Sequence, residues 1–209
     1  MLFLDLDGVV IDTEPLYSRF WREAAAEYSY AMTYEDSLSL RSLDNSLARE
    51  RFKELLDRDV YDMMRERRKA LMERYRKDHP IQAKPGAKEL MKELEERQLP
   101  YYIVTASPAD RAERYMTEAG LHYDADRFIS TKTVQRGKPW PDVYLEALRI
   151  SGARAYETIA VEDSPNGIKS AAAAGLKAVM VPDLTGPGEE ERRLCYRVCG
   201  NVLEVLKLI

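Results

Sequence analysis

The chain has 209 residues, 45% of them hydrophobic and 33% charged, with a formal net charge of -4. That length allows one sizeable core, or a core with a small accessory domain, in an ordinary globular composition. The mild negative charge argues against a nucleic-acid or membrane-surface partner; no apolar run is long enough to span a bilayer, and the N-terminus lacks a signal-peptide pattern, so a cytoplasmic protein is expected.

The first strand is predicted over LFLDL (2–6), a continuous apolar run broken only by Asp5. From Pro15 to His79 no strand pattern is found. Apolar residues there recur at helical spacing, as in FWREAAAEY (20–28) and VYDMMRERRKALMERY (60–75). A stretch of that length is too long for a loop, so an all-helical cap domain is predicted over 15–79, with 1–14 and 80–209 forming the core. Its exit is the Pro/Gly-rich HPIQAKPG (79–86). The basic run RERRKALMERYRK (65–77) reads as a solvated helix face, because Lys and Arg in the insertion are matched almost one for one by Asp and Glu.

Beyond the insertion, helices and strands alternate. Helices are predicted over 86–98, 108–120, 141–152 and 166–175, several punctuated by proline at the start and glycine at the end. Strands are predicted over YYIVT (101–105), RFIST (127–131), TIAVED (158–163) and KAVMVP (177–182). Their unbroken apolar character marks strands buried on both faces. The pattern implies an α/β fold: a Rossmann-like parallel sheet with helices on both faces, plus the helical cap. Cys195 and Cys199 are expected to share one face of a helix, as small apolar residues rather than a disulfide or metal site.

Parallel sheets build sites at the carboxyl ends of their strands. Here those ends carry Asp5, Thr105 and Glu162-Asp163, with Asp7 two residues past Asp5 and Lys138 before the helix that leads to Glu162. The two histidines, His79 and His122, lie in no motif, so acid–base chemistry falls to carboxylates and lysine. Clustered carboxylates are costly to bury unless a hard cation takes their charge, and Mg²⁺ with a substrate phosphate fits this set. Thr105 and Lys138 would cradle the phosphate. An aspartate facing phosphorus can form an aspartyl phosphate, and a second carboxyl two residues on can supply and recover the leaving-group proton. Gly8 allows the sharp turn behind them. Asp12, past the strand end, reads as a hinge or helix-start residue.

These residues resemble the haloacid dehalogenase-like superfamily of phosphatases. Asp5 to Thr13 (DLDGVVIDT) is similar to its nucleophile motif, and Val104-Thr105-Ala106-Ser107, Gly137-Lys138-Pro139 and Val161-Glu162-Asp163-Ser164 to its later three, in the family's order. The resemblance implies Asp5 as nucleophile and metal ligand, and Asp7 as general acid/base touching the metal through its carbonyl. It implies Thr105, Lys138 and the Ala106 amide as phosphoryl holders, and Asp163 and Glu162 as metal ligands. Asn166 and Gly167 would shape the metal loop.

Within the family, the helical-cap group of β-phosphoglucomutase and sugar-phosphate phosphatases is the nearest pattern. Several positions depart from the mutase. Tyr17 stands for a histidine, Ser42 for a glycine, Asn45 for an arginine, and Pro108-Ala109 for a Lys-Asn pair. A second anion site therefore looks thinned, which favours Mg²⁺-dependent hydrolysis of a small phosphorylated metabolite by a monomer. A phosphosugar mutase is the alternative, followed by a receiver-like or non-catalytic module. Asp7 argues against a dehalogenase, and Lys53 lacks the apolar setting a Schiff base needs. Tyr17, Arg41, Asn45 and Trp140 are expected to line the substrate cavity, with Arg41 as clamp for any second anion and packing as the competing role for Trp140.

Overall fold

The computed structural model describes residues 1–56 and 59–209, apart from the side chain of Lys132. Its sheet has six strands, all parallel, in the order β3-β2-β1-β4-β5-β6. They are β1 (Leu2–Leu4), β2 (Tyr101–Thr105), β3 (Phe128–Ser130), β4 (Ile159–Glu162), β5 (Lys177–Met180) and β6 (Arg197–Val198). The helices are α1 (Glu14–Glu27), α2 (Tyr34–Leu38), α3 (Asn45–Leu56), α4 (Tyr61–Arg76), α5 (Ala87–Glu96), α6 (Ala109–Glu118), α7 (Asp142–Ser151), α8 (Pro165–Ala173) and α9 (Glu189–Leu194).

The unbroken apolar runs follow from the sheet's two covered faces. Successive strand residues point to opposite sides. In β1, Leu2 and Leu4 join one core with Leu90 and Leu94 of α5 and Tyr115 and Met116 of α6. Phe3 joins the other, with Val143 and Tyr144 of α7 and Ile168 and Ala171 of α8. A polar residue on either face would be buried, so none is present in β1.

Strand β1 lies between β2 and β4, with Leu4 beside Ile103 and Val161. The chain then turns tightly. The Val10 and Ile11 amides donate to the Leu6 carbonyl at 2.9 and 3.0 Å. The outgoing and returning chain run side by side here, since Asp12 N–H donates to the Gln82 carbonyl at 2.9 Å and Lys84 N–H to that of Val10 at 3.0 Å. Asp12 also pairs with Lys84 at 3.2 Å, and Lys84 with Asp183 at 2.7 Å. Asp12 therefore sits in this two-strand connection, two residues before α1.

Between these connections, residues 14–76 form α1 to α4 and, among the described residues, no strand. They have a core of their own, with Trp21, Met32, Leu40, Phe52, Tyr61 and Met64 buried together. Three aromatic rings hold it: Trp21–Phe52 at 4.9 Å, Phe52–Tyr61 at 5.4 Å and Trp21–Tyr61 at 6.1 Å between centroids.

Two expectations are corrected. Most strands are shorter than their apolar runs; β1 ends at Leu4 because the chain there enters the Asp5–Ile11 turn. The cysteines are not on one helix: Cys195 caps α9 with extended backbone, and Cys199 follows the edge strand β6, which the sequence pattern did not predict. Both thiols are free.

Phe52→Ala should cost about 3–5 kcal/mol, since it removes the ring that both Trp21 and Tyr61 pack on. Urea unfolding followed by circular dichroism measures this. A loss under about 1 kcal/mol would mean that the aromatic trio does not hold the insertion.

Candidate active site

Three neighbouring strands deliver the site because they are parallel and in register. Asp5 follows β1, Thr105 ends β2 and Glu162 ends β4, with Asp163 next in the chain. All four are buried. The Asp5 amide still donates to the Val161 carbonyl at 2.9 Å, so its backbone is fixed by the sheet although its side chain is beyond it.

Lys138, from the loop before α7, is fully buried and ion-paired. Its Nζ lies 2.9 Å from Asp5 Oδ1 and 2.6 Å from Glu162 Oε1. The Tyr144 hydroxyl donates to the same Glu162 oxygen. Burial is the largest influence on Lys138 and works against its charge, yet Asp5 and Glu162 together hold its pKa above the ordinary lysine value. Lys138 thus balances the carboxylates, in addition to any phosphate it meets.

Asp5, Glu162 and Asp163 each offer an oxygen within 4.8 Å of the others. Burial pushes Asp5 well above the usual carboxylate range, with Glu162 adding to the rise and Lys138 opposing it. Burial likewise raises Asp163, against the pull of Arg41. Glu162 Oε2 and Asp163 Oδ1 are buried without a hydrogen-bond partner. Orphaned carboxylate oxygens converging in this way fit a hard cation with oxygen ligands. Two glycines make room for them. At Gly8, with φ +82°, a Cβ would overlap Asp163; at Gly167 it would overlap Glu162.

The Asp7 carboxylate stands outside this cluster. Thr13 Oγ1 donates to its Oδ1 at 2.6 Å and Ser107 Oγ to its Oδ2 at 2.5 Å. Arg111 Nη2 donates to that Ser107 oxygen at 2.7 Å, which leaves the hydroxyl hydrogen for Asp7. Thr105 Oγ1 accepts from the Ser107 amide at 3.0 Å, so its own hydrogen is free to donate.

The helical insertion closes the site through its 39–44 loop. Arg41 Nε donates to Glu14 at 2.9 Å and Nη1 to Thr185 at 2.9 Å, while Nη2 pairs with Asp163. Burial raises Glu14 to about 7 despite Arg41. Asp44 accepts from the Gly137 amide at 2.8 Å, and its own amide donates to the Lys138 carbonyl at 2.8 Å. Between them Ser42 holds φ +53°, the left-handed region that favours glycine, so this loop keeps its shape at a cost of about 1–2 kcal/mol.

Asp5, Asp7, Thr105, Ala106 and Lys138 line one cavity together with Tyr17, Arg41 and Asn45. Two expectations change. Arg41 lines the cavity, but its guanidinium donors already pair with Glu14, Thr185 and Asp163, the partners a clamp for a second anion would have to give up. Trp140 is not among the residues lining the cavity: the residue is 43% exposed and its ring packs under Arg136, with the guanidinium carbon 4.5 Å from its centroid. The sequence reading missed Glu14, Arg65, Arg68, Ser107 and Arg111, all in the lining. For Arg68 the signal was present, since Tyr61, Met64, Arg68, Met72 and Arg76 fall on one helical stripe.

Gly167→Ala should destabilise by about 1–3 kcal/mol, because the new methyl must displace buried Glu162. Gly186→Ala, where a Cβ meets nothing within 4 Å, is the control. Denaturant melts compare them; equal losses would show that Glu162 is not confined by Gly167.

Residues 2–181 match the family model described as haloacid dehalogenase-like hydrolase. Fructose-1-phosphate phosphatase YqaB of Escherichia coli K12 is 28% identical over 182 residues, covering 86% of this chain and 95% of its own. Hexitol phosphatase B of the same organism is 29% identical over 185 residues, covering 85% and 81%. The crystal structure of a hydrolase from Pseudomonas syringae superposes with a TM-score of 0.86 at 22% identity, covering 99% of this chain and 95% of that one. The α/β fold is therefore that of these proteins, and the chain belongs to the haloacid dehalogenase-like hydrolase family.

Proposed function

We propose that the chain is a Mg²⁺-dependent phosphatase that hydrolyses a small phosphorylated metabolite, a sugar phosphate or similar ester, through an aspartyl phosphate on Asp5. The observation that carries this reading is the convergence of Asp5, Glu162 and Asp163 beside Lys138, in one cavity with Asp7 and Thr105. The similarity to fructose-1-phosphate and hexitol phosphatases supports the substrate class.

In the first step an Asp5 carboxylate oxygen bonds to phosphorus as the bond to the leaving oxygen breaks. Asp7 gives its proton to that oxygen. In the second, water bonds to phosphorus as the Asp5–phosphorus bond breaks, and Asp7 takes the water's proton. Asp5 and a protonated Asp7 are thereby restored. The Thr105 hydroxyl, the Ala106 amide and Lys138 hold the phosphoryl oxygens. Asp5, Glu162, Asp163 and the Asp7 carbonyl would hold the metal. Mg²⁺ would supply charge neutralisation between the anionic nucleophile and the phosphate.

Residues 15–79 serve in this reading as a cap domain over the core of 1–14 and 80–209, excluding water from the cavity. Arg41 and Asp44 tie the cap to the loops carrying Asp163 and Lys138, which supports that role. The same proposal has the enzyme acting in the cytoplasm as a monomer. Among the described residues, no helix is long and apolar enough to cross a membrane.

Phosphate release from p-nitrophenyl phosphate, with Mg²⁺ and with EDTA, tests the reading in wild type and Asp5→Asn. Metal-dependent release that disappears in Asp5→Asn is expected. Release that survives in Asp5→Asn removes the aspartyl-phosphate mechanism. Transfer of phosphate between positions of a sugar, without release, would favour the mutase.

A pH dependence follows as well. Glu14 rises from 4.5 to about 7 in the fold. A carboxyl raised by folding binds its proton more tightly when folded, so its stabilisation is complete below the unfolded value and is lost as pH rises through about 7. Asp5 and Asp163 are raised in the same direction. A divalent ion binds the ionised carboxylates. The rise in melting temperature on adding Mg²⁺ should therefore be larger at pH 8 than at pH 5.5 by differential scanning fluorimetry. The opposite order would exclude these carboxylates as its ligands.

A further inference from the structure

The cavity is electrostatically lopsided. Its sheet end holds carboxylates matched by Lys138 and Arg41. Its other end is lined by Arg65 and Arg68 of α4 and Arg111 of α6, and among the described residues none of these three has a carboxylate partner. Arg76, two turns further along the same stripe of α4, shows the contrast: it is buried too, but pairs with Glu73 and Glu118.

Arg68 is the clearest case. It is 7% exposed, and its Nε makes no hydrogen bond. Its guanidinium carbon lies 4.6 Å from the ring centroids of both Tyr17 and Trp21. Ring faces return only part of what burying an arginine costs. Arg111 Nε is also buried without a partner, and its guanidinium carbon lies 5.8 Å from the Tyr17 ring. The hydroxyl of this same Tyr17 is buried and unpartnered. Burial, and then the neighbouring charges of Arg111 and Arg65, push Arg68 below the ordinary arginine range. An anion between these groups would satisfy all three orphaned positions at once.

We propose that Arg68, Arg111 and the Tyr17 hydroxyl bind a second anionic group, so that the substrate is a phosphate ester whose leaving alcohol itself carries a carboxylate or a second phosphate. This rests on the phosphatase reading above. The second anion lies on the leaving-group side, because Arg111 reaches Asp7 through Ser107 alone, by bonds of 2.7 and 2.5 Å. The alcohol must then be compact. The subsite is built from α1, α4 and α6, and it replaces the clamp expected from Arg41.

The test compares KM for p-nitrophenyl phosphate, a neutral sugar monophosphate, phosphoglycolate and a sugar bisphosphate, in wild type, Arg68→Met and Arg68→Lys. Arg68→Met should raise KM for the acidic esters about tenfold more than for the neutral ones, and Arg68→Lys should restore part of it. The lower KM of phosphoglycolate or of the bisphosphate identifies the anion as carboxylate or phosphate. Equal changes across the panel, or no preference of wild type for either acidic ester, overturn the proposal. A second measurement is independent of turnover: succinate should raise the melting temperature of metal-free wild type and not that of Arg68→Met. Arg111→Gln should lose the same response, which guards against misfolding of one variant. If turnover is absent but the succinate response depends on Arg68, the phosphatase reading fails and the anion site stands. If turnover is present and neither readout depends on Arg68, the site fails alone.

Discussion

A carboxylate taken out of water is unfavourable unless a cation or hydrogen-bond donors share its charge. At the carboxyl edge of this sheet Asp5, Glu14, Glu162 and Asp163 are buried as one charge cluster, with Asp7 buried beside them. Two cations answer them, and they come from opposite directions. Lys138 comes from the core, between β3 and α7, and bridges Asp5 and Glu162. Arg41 comes from the helical insertion and bridges Glu14 and Asp163. The sheet fixes the backbones, the glycines at 8 and 167 clear the space, and the charge balance sets where the insertion rests.

That last constraint explains why the 39–44 loop is held so firmly. Two of its residues engage the core: the Arg41 carbonyl accepts from Asn166 at 2.9 Å, and Asp44 bonds to both Gly137 and Lys138. Asn166 and Gly167 open α8 directly after the Asp163 loop, and Gly137 precedes Lys138. The insertion therefore touches the two loops that carry the site's charges. A left-handed Ser42 is tolerated because these anchors on either side over-determine the loop.

The sheet and its edge were legible in the sequence because β1, β2, β4 and β5 are buried on both faces, and a strand so placed must be an unbroken apolar run. Asp5, Thr105 and Glu162 stood out because each interrupts or ends such a run. Strand β6 left no trace: it has two residues, both exposed, at an edge where burial imposes no pattern. Trp140 was misplaced for a related reason. Its position near Lys138 fixed its backbone, but not whether its ring would turn toward the cavity or lie under Arg136. The arginines are the most instructive. Arg41 and Arg68 have long side chains whose partners lie on other elements, Asp163 in one case and the Tyr17 and Trp21 rings in the other. Sequence spacing gives the face of a helix and not what stands across from it. The basic run at 65–77 was read as a solvated face, which holds for Lys69 and its neighbour Glu66 but not for Arg68 on the apolar stripe.

The two halves of the cavity meet at Asp7. Among the described residues its carboxylate has no cation partner and is held by hydroxyls, Thr13 on one oxygen and Ser107 on the other. Thr13 stands immediately before α1, the first helix of the insertion. Ser107 leads into α6 and is itself held by Arg111, a residue of the basic half. Hydroxyl donors position a carboxylate without fixing its charge as strongly as an ammonium or guanidinium would. Among the described residues, Asp7, which exchanges the proton in the proposed reaction, is held by two hydroxyls, while Asp5, the nucleophile of that reaction, lies against Lys138. The same edge of the sheet gives two aspartates two residues apart different partners, and the partners suit them to different work.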